Sequence, residues 1–228
     1  MLTAIIVAAG GSRRMGSDKL FTTIAGKPLL AHSIDAFERA SSVTEIIVVA
    51  REDRHGEIEK IVRDQNWKKV RSIVTGGEHR QDSVRAGLES LRNDARYIAV
   101  HDAARPLVTP EQIGRVYEIA RKHAAAALAE PISDTLKRAD FDLIVTSSVD
   151  RDQLFAMQTP QIFERELLEE AYCIVADQEI SVTDEVSAVE LLGRKVALVV
   201  NEDFNFKITY PRDLALAEVV LRQRVERK

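Results

Sequence analysis

Six short apolar runs alternate with segments of helical periodicity, and this alternation constrains the fold of the 228-residue chain more than any other feature. We predict strands at Ala4–Ala8, Glu45–Ala50, Val70–Val74, Tyr97–His101, Ala124–Ala129 and Lys195–Val200. Continuous apolar runs of this length are typical of strands that are buried on both faces of a sheet. The sequence therefore predicts a sheet that is covered on both sides.

Between the predicted strands, apolar residues recur at steps of three and four positions. Leu30, Ile34 and Phe37, for example, fall on one face of a helix. The predicted helices are Pro28–Phe37, Arg54–Asp64, Asp82–Leu91, Arg165–Ile174, Asp184–Leu192 and Pro211–Arg222. Because strand and helix repeat in turn without a linker, we expect one domain over residues 1–228. Its fold class is α/β and Rossmann-like, with a mainly parallel sheet and helices on both faces.

The alternation is interrupted once, at about residues 131–152. Here Asp134–Arg138 and Leu143–Val149 are typical of the two strands of a hairpin, joined across Ala139–Asp142. The sequence therefore predicts a β-hairpin arm that projects from the sheet. Since such an arm exposes strand edges and apolar side chains, we expect it to pack against a second copy of the chain, in a homodimer.

Charge, cysteine content and the N-terminal sequence exclude several classes of protein. The formal net charge is −4, whereas binding to a nucleic-acid backbone usually needs a net basic face, so we expect no nucleic-acid partner. Cys173 is the only cysteine, which excludes an intramolecular disulfide and favours a reducing, cytoplasmic compartment. The apolar run 1–10 is too short for a membrane span, and its positive charges follow rather than precede it. We therefore expect neither a membrane span nor an export signal.

The first predicted strand ends in a glycine-containing loop that extends to Lys19. Ligands of open α/β sheets bind at the carboxyl ends of the strands. The adjacent Gly10 and Gly11 allow backbone amides to approach an anion, and Arg13 and Arg14 add positive charge together with Lys19. The loop therefore favours a polyphosphate ligand. The alternative is a plain glycine turn with solvated basic side chains.

Two common phosphate-binding motifs do not fit this loop. Its glycines have Walker A spacing, but Ser17 and Asp18 stand where that motif requires Lys followed by Ser or Thr. Ser12 and Met15 occupy glycine positions of the dinucleotide fingerprint, and the second strand ends at Arg51 without the carboxylate that binds an NAD ribose. A P-loop NTPase and a dehydrogenase are therefore disfavoured.

Further candidates follow later strands. Asp102 stands at the end of the fourth strand, where a carboxylate can hold Mg²⁺ against phosphate oxygens, although a helix cap or a turn is the alternative. We interpret the preceding His101 as structural. A second glycine turn, Gly76–Ser83, offers amides and a hydroxyl to a base or ribose, or is only a turn with a cap. A salt bridge that closes the arm is the more usual role for an isolated residue such as Arg151, and Lys207 could equally be a solvated charge.

The order of these motifs resembles a known enzyme family. They are Ala8-Ala9-Gly10, Arg14-Met15, Lys19, His101–Pro106, Asp134-Thr135, Val149–Arg151, Thr159–Gln161, Thr183–Glu185 and Lys207–Thr209. Together they cover nearly the whole chain and resemble the 2-C-methyl-D-erythritol 4-phosphate cytidylyltransferases of non-mevalonate isoprenoid synthesis. The first loop alone indicates nucleotidyltransferases in general, whereas the arm and the Lys207 segment make the resemblance more specific.

The resemblance implies a homodimeric enzyme that uses CTP and a sugar-alcohol phosphate, releases pyrophosphate and requires Mg²⁺. It implies catalytic roles for Arg14, Lys19, Arg151 and Lys207. It implies nucleotide contacts at Ala8, Ala9, Gly10, Gly11, Ser12, Gly77, Glu78, Ser83 and Ala103. It implies second-substrate contacts at Asp102, Arg105, Thr135, Arg151, Thr183 and Lys207. In this scheme Asp102 also binds the metal, and Thr135 and Arg151 reach the pocket of the partner subunit.

Three positions depart from the family pattern. Ser12 stands in place of a usual glycine, Asp18 in place of a proline, and Phe206 in place of a smaller aliphatic residue. None of them removes a charge that the chemistry needs. Two other functions stay open: a cytidylyltransferase for another polyol phosphate, such as ribitol 5-phosphate, and a non-catalytic nucleotide-binding regulator.

Overall fold

The computed structural model describes residues 1–11 and 18–226, and its centre is a seven-stranded sheet. The strands are β1 (Leu2–Val7), β2 (Thr23–Ile24), β3 (Lys27–Pro28), β4 (Val43–Ala50), β5 (Val70–Thr75), β6 (Tyr97–Asp102), β7 (Ala125–Pro131), β8 (Leu136–Ala139), β9 (Val145–Val149), β10 (Phe155–Glu164) and β11 (Ala197–Val200). The α-helices are α1 (Leu29–Arg39), α2 (His55–Gln65), α3 (Arg80–Glu89), α4 (Pro110–His123), α5 (Arg165–Asp177), α6 (Glu185–Glu190) and α7 (Pro211–Glu226).

The strand order of the central sheet is β11-β7-β10-β6-β1-β4-β5. The pairs β1–β4, β1–β6, β4–β5 and β7–β11 are parallel, whereas β10 is antiparallel to both β6 and β7. This topology confirms the predicted single α/β domain with a mainly parallel sheet. It also places the ends of β1, β4, β5 and β6 at one edge.

Two apolar cores lie on the two faces of this sheet. Successive residues of β1 alternate between them: Ala4 and Ile6 belong to one core, and Ile5 to the other. Helices α1, α2, α4 and α7 contribute to the first core, and α3, α5 and α6 to the second. Burying one such Ile side chain stabilises the fold by about 1.5–3 kcal/mol. Because each core contains many buried side chains, the sheet holds its strand ends in place. Within the described residues, no helix has the length and apolar character that crossing a membrane requires.

Four elements were not predicted from the sequence: α4, β10 and the short strands β2 and β3. Helix α4 begins with a recognisable signal, since Thr109 accepts a hydrogen bond from the N–H of Gln112 and Pro110 is its first residue. Strand β10 is harder to recognise, because Pro160 and several polar residues interrupt its apolar pattern. These polar side chains find their partners only in the folded protein.

Some predicted boundaries are wrong by a few residues. Ala124 is not the start of a strand, because its left-handed conformation (φ 65°) ends α4 and β7 begins one residue later. The strand predicted from Lys195 begins at Ala197. Helix α3 begins two residues earlier than predicted, with the carboxylate of Asp82 accepting the N–H of His79.

The predicted arm is present as a hairpin of β8 and β9. Each of the two strands begins two residues later than predicted. Its tip is apolar and exposed: Phe141 is fully exposed, and Leu143 and Ile144 are 84% and 64% exposed. Such a group of exposed apolar side chains is typical of a surface that packs against another protein.

Candidate active site

The carboxyl ends of the parallel strands open into a cavity of about 710 Å³, which we call the nucleotide cavity. The loop after β1 contributes Ala9, Gly10 and Gly11, and the turn after β5 contributes Gly77 and Glu78. Lys19, Asp102 and Lys207 also line this cavity, together with Val7, Leu20, Arg51, His79, Arg80, Ser83, Ala104 and Thr209. Backbone amides and ammonium groups from distant parts of the chain therefore face one space.

The two glycine turns of this cavity are packed directly against each other. A Cβ atom at Gly76 would lie 2.5 Å from the Cβ of Ala9 and 2.7 Å from the Oγ of Ser83. Any other residue at this position would push the turns apart. The N–H of Gly76 also donates to the carbonyl of Ala50 (2.9 Å), which fixes the turn to the end of β4. Gly76 thus sets the spacing of the two loops.

A second cavity of about 310 Å³, which we call the junction cavity, adjoins the first. Arg105, Thr183 and Asp184 contribute to its lining, together with Met157, Gln158, Thr159, Gln161 and Ser187. The two cavities share Arg80, Asp102 and Lys207. Two ligands that occupied the two cavities would therefore meet at these three side chains.

Asp102 is surrounded by cations at this shared wall. Its Oδ2 accepts a hydrogen bond from Lys207 Nζ (2.7 Å), its Oδ1 accepts one from Arg80 Nε (3.0 Å), and Arg105 Nε lies 4.0 Å from Oδ2. Burial alone would raise the pKa of Asp102, but Arg80, Lys207 and Arg105 together lower it far below its usual range. Asp102 is therefore a carboxylate across the whole physiological pH range.

Sequence reasoning assigned no role to Arg80, yet this residue links the two cavities to the core. Its Nη1 and Nη2 donate to the two carboxylate oxygens of Glu185, at 2.7 and 2.9 Å. Burial would lower the pKa of Arg80, but Glu185 and Asp102 raise it above its ordinary value. The only sequence signal was its place in the second glycine turn, since its partner Glu185 lies 105 positions away.

Arg105 is held at the junction cavity by main-chain carbonyls. Its Nη1 donates to the carbonyl of Asn205 (2.8 Å) and its Nη2 to that of Met157 (3.2 Å). A buried amide network supports these segments, because Gln158 accepts hydrogen bonds from both Asn201 (3.0 Å) and Asn205 (3.1 Å). The segment that carries Lys207 is thereby fixed to β10.

His101 lies fully buried behind this site. Burial lowers its pKa to about 3, so the imidazole is neutral. Its Nε2 lies 3.3 Å from the carbonyl of Arg105, and its Nδ1 lies 2.9 Å from the hydroxyl of Thr159, which also accepts the N–H of Asp102. The ring packs against Phe37 at a tilt of 50°, and His101 lines neither cavity, in agreement with a structural role.

Lys19 connects the first loop to the segment before α7. Its Nζ lines the nucleotide cavity and donates to the carbonyl of Ile208 (2.6 Å), next to Lys207. The preceding Asp18 is bound by Arg51 and by Arg54, each at 3.0 Å. Asp18, which departs from the family pattern, thus connects the end of the first loop to the residues that follow β4. Phe206, the other described departure, packs edge-on against Phe204.

The structure brings most of the predicted site residues to the two cavities, with exceptions. Ala8 and Ala103 are buried and line neither cavity; the N–H of Ala103 donates to Val7 and that of Ala8 to Val49. The backbone N–H groups of these two residues are therefore engaged within the sheet, and their nucleotide contacts stay a prediction. Ser12 and Arg14 lie outside the described residues.

Thr135 and Arg151 stand apart from both cavities of their own subunit. They are exposed on the arm, and neither contributes to the lining as far as the described residues define it. Among the described residues, no salt bridge of Arg151 closes the arm; its Nη1 donates to the carbonyl of Ser133. Their placement leaves them free to act on a neighbouring molecule.

Asp102 has the chemistry of a Mg²⁺ ligand in a nucleotide site. Within residues 1–11 and 18–226, no group of three or more His, Cys, Asp or Glu side chains could bind a metal by itself. Mg²⁺ does not need one, because it is usually held by one or two carboxylates together with substrate phosphates and water. An ionised Asp102 that faces both cavities fits that arrangement.

The fold and the site define a nucleotidyltransferase of the Rossmann-like class, with a glycine-containing loop after the first strand and a cationic wall between two cavities. A family model described as 2-C-methyl-D-erythritol 4-phosphate cytidylyltransferase matches residues 2–223. The chain therefore belongs to the 2-C-methyl-D-erythritol 4-phosphate cytidylyltransferase family.

Individual relatives agree over almost their full lengths. The chain is 42% identical over 225 residues to the 2-C-methyl-D-erythritol 4-phosphate cytidylyltransferase of Caldanaerobacter subterraneus subsp. tengcongensis, covering 97% of this chain and 99% of that protein. It is 38% identical over 227 residues to the enzyme of the same name from Halalkalibacterium halodurans, covering 99% of each. A crystal structure of 4-diphosphocytidyl-2C-methyl-D-erythritol synthase from Anaerococcus prevotii superposes with a TM-score of 0.85 at 31% identity, covering 97% and 96% of the two chains.

Proposed function

We propose that this chain transfers the cytidylyl group of CTP to 2-C-methyl-D-erythritol 4-phosphate, giving the CDP-linked alcohol and pyrophosphate. CTP occupies the nucleotide cavity, and the phosphate of the second substrate enters from the junction cavity. The observation that carries this proposal is the shared wall of Arg80, Asp102 and Lys207, which gives the two phosphorylated substrates a common meeting point.

The reaction needs cations more than it needs a base. The attacking phosphate monoester is already anionic, so the difficulty lies in bringing two polyanions together. Lys19 is positioned to neutralise charge that accumulates on the α-phosphoryl group and on the departing pyrophosphate. Lys207 is positioned to orient the attacking phosphate, with Arg105 beside it. We assign Arg14 the same role as Lys19 on the basis of the family resemblance.

Nucleotide contacts come from main-chain groups and small side chains. Gly10 and Gly11 present amides to the triphosphate, and Gly77 and Glu78 line the opposite side of the cavity, where the base and ribose bind. Ser83, which is buried below them, donates its hydroxyl to the carbonyl of His79 (3.3 Å) and supports the turn.

Mg²⁺ would be held by Asp102 together with phosphate oxygens of CTP, and it would supply further neutralisation of the triphosphate charge. Asp102 already contacts Lys207 and Arg80, so a bound metal would share this carboxylate with the ammonium and the guanidinium.

A pyrophosphate-release assay tests this function. Each of the common nucleoside triphosphates is combined with 2-C-methyl-D-erythritol 4-phosphate or ribitol 5-phosphate, and we expect turnover with CTP and the methylerythritol phosphate. Equal or faster turnover of ribitol 5-phosphate would support the other polyol-phosphate cytidylyltransferase instead. Binding of CTP with no release for any pair would indicate the non-catalytic regulator.

We further propose that the enzyme is a homodimer in which the arm of one subunit completes the site of the other. The exposed apolar tip around Phe141 supports this assembly, and so does the position of Thr135 and Arg151 away from the cavities of their own subunit. Arg151 of one subunit would then bind the second substrate in its partner. The lone Cys173 favours a cytoplasmic location for this enzyme.

Complementation between inactive variants tests the shared site. In a heterodimer of Lys19→Ala and Arg151→Ala subunits, one site carries both defects and the other carries neither. Random mixing makes about half of all dimers heterodimers, so we expect about a quarter of the wild-type activity to return. Mixing Lys19→Ala with a Lys19→Ala/Arg151→Ala double variant is the control and restores nothing. Failure of the first mixture to recover activity, although the subunits exchange, would place Arg151 in the site of its own chain.

A further inference from the structure

Each of the three side-chain nitrogens of Arg80 donates a hydrogen bond to a fixed partner, and these partners lie on two different elements. Its Nε donates to Asp102 at the end of β6, while Nη1 and Nη2 hold both oxygens of Glu185 at the start of α6. A planar guanidinium bound at three of its nitrogens has little freedom to rotate. The plane of Arg80, and with it the orientation of Asp102, is therefore set by Glu185.

Glu185 is itself held from every side. Its side chain has no exposure to solvent, and its Oε1 also accepts a hydrogen bond from the hydroxyl of Tyr172 (3.0 Å). Its backbone N–H donates to the side chain of Gln161 on β10 (3.1 Å). Next to Arg80, Gln81 accepts the N–H of Val182 (2.9 Å), so α3 is tied to the segment that leads into α6.

A buried ion pair of this kind is weak support for stability alone. The desolvation of two charges offsets much of their attraction, and well-packed apolar residues of similar size often stabilise a core as much or more. An apolar pair could not replace Glu185 and Arg80 in one respect. Arg80, held by Glu185, donates a hydrogen bond to Asp102 at the shared wall of the two cavities.

We propose that Arg80 is a positioning residue for the transfer reaction, and that Glu185 and Tyr172 form the buried support that holds it. Arg80 fixes one oxygen of Asp102, so that the other oxygen holds Lys207 at the point where the two substrates meet. This inference rests on the proposed function, because Lys207 orients the attacking phosphate. The role passes through Asp102 and needs no contact between Arg80 and a substrate.

The test compares Arg80→Lys and Glu185→Gln with the wild type in the pyrophosphate-release assay. Lysine keeps the charge at position 80 but cannot bind Asp102 and Glu185 together, and glutamine keeps the size at position 185 but presents an amide donor to the guanidinium. Because a misplacement of 1 Å can reduce turnover on the order of 100-fold, we expect kcat to fall by about 10- to 100-fold in both variants. The affinity for CTP and the KM for the second substrate should change by less than about threefold, since Lys207 is displaced but still present to bind the phosphate and the other contacting residues are unchanged.

Two further variants separate positioning from a purely structural effect. Tyr172→Phe removes one neutral hydrogen bond to Glu185, so we expect kcat to fall by only about fivefold, corresponding to about 1 kcal/mol. Glu190→Gln makes the same change at an exposed position of the same helix and should behave as wild type. Turnover is expressed per CTP-binding site, so a loss of folded protein does not count as a loss of kcat.

Each outcome decides the inference. Arg80→Lys with a kcat within about threefold of wild type would show that charge alone is needed, and would overturn it. A raised KM with unchanged kcat would show that Arg80 contacts a substrate instead. If Glu185→Gln binds the substrates more tightly while kcat is unchanged, Glu185 only balances the charge of the site and does not position Arg80. If the wild-type protein releases no pyrophosphate, the proposed function itself is wrong. The same assay shows this before any variant is compared.

Discussion

Replacing Lys19 with alanine separates the contribution of this ammonium group to turnover from its contribution to the fold. Lys19 lines the nucleotide cavity, and its Nζ donates to the carbonyl of Ile208 at 2.6 Å. The substitution removes both a charge that faces the triphosphate and a tie to the segment that carries Lys207. These two losses have different sizes and are measured by different assays.

The larger loss is in turnover. Removing one group that stabilises charge in the transition state typically costs about 3–4 kcal/mol, or about two to three decades in kcat. The tie to Ile208 is a single, partly exposed hydrogen bond, so we expect it to contribute about 1 kcal/mol to the free energy of unfolding. For a chain of this length, 1 kcal/mol lowers the melting temperature by about 2–4 °C. The variant therefore stays folded at ordinary assay temperatures.

The assay measures pyrophosphate release at saturating CTP, with CTP affinity and thermal unfolding measured on the same preparations. Lys19→Ala should retain most of its CTP affinity, because the base and ribose contacts are elsewhere. Lys122→Ala is the matched control, since Lys122 is exposed at the end of α4, away from both cavities. A Lys19→Ala protein with near-normal kcat would refute the assignment of Lys19 to the transition state.

Three further predictions concern the fold around the site. Asp18→Asn weakens the ion pairs with Arg51 and Arg54, so we expect the urea midpoint of unfolding to fall by the equivalent of about 1 kcal/mol; an unchanged midpoint would contradict this role. Gln158→Leu removes the side-chain oxygen that accepts from the buried amides of both Asn201 and Asn205 and should destabilise the protein by about 2 kcal/mol or more in the same titration, whereas a neutral effect would show that the network relaxes. Burial lowers the pKa of His32 in the folded state, so the unfolded chain binds more protons as the pH falls below about 6.5 and stability is lost on acidification; His32→Gln should show a shallower loss between pH 7 and 5, and parallel curves would refute it.

The parallel part of the sheet could be predicted from the sequence because its signal is local. Strands β1, β4 and β6 are mostly apolar and β5 carries the apolar pair Ile73 and Val74, and the helices that follow β1, β4 and β5 along the chain (α1, α2 and α3) each have one apolar face. These strand ends in turn indicate where ligand loops belong, which is why Gly10, Lys19 and Asp102 can be predicted as site residues from the sequence alone.

The parts that could not be predicted depend on partners far away in the sequence. Gln158 and Gln161 interrupt the apolar pattern of β10, and they are accommodated only because Asn201 and the first turn of α6 supply their hydrogen bonds. Arg80 carries no local sign of its role, since Glu185 is 105 positions away. Polar residues of this kind can be interpreted only after the topology has brought their partners together.

The common wall between the two cavities has a consequence for ligand design. A single molecule that joins a cytosine nucleoside to a second anionic group through a short spacer could occupy both spaces at once. Its second group would bind at an effective concentration set by the spacer, in the millimolar range for short flexible linkers, so its affinity could exceed that of either half by about two to four decades. The optimal spacer is short, because Asp102 and Lys207 belong to both binding regions.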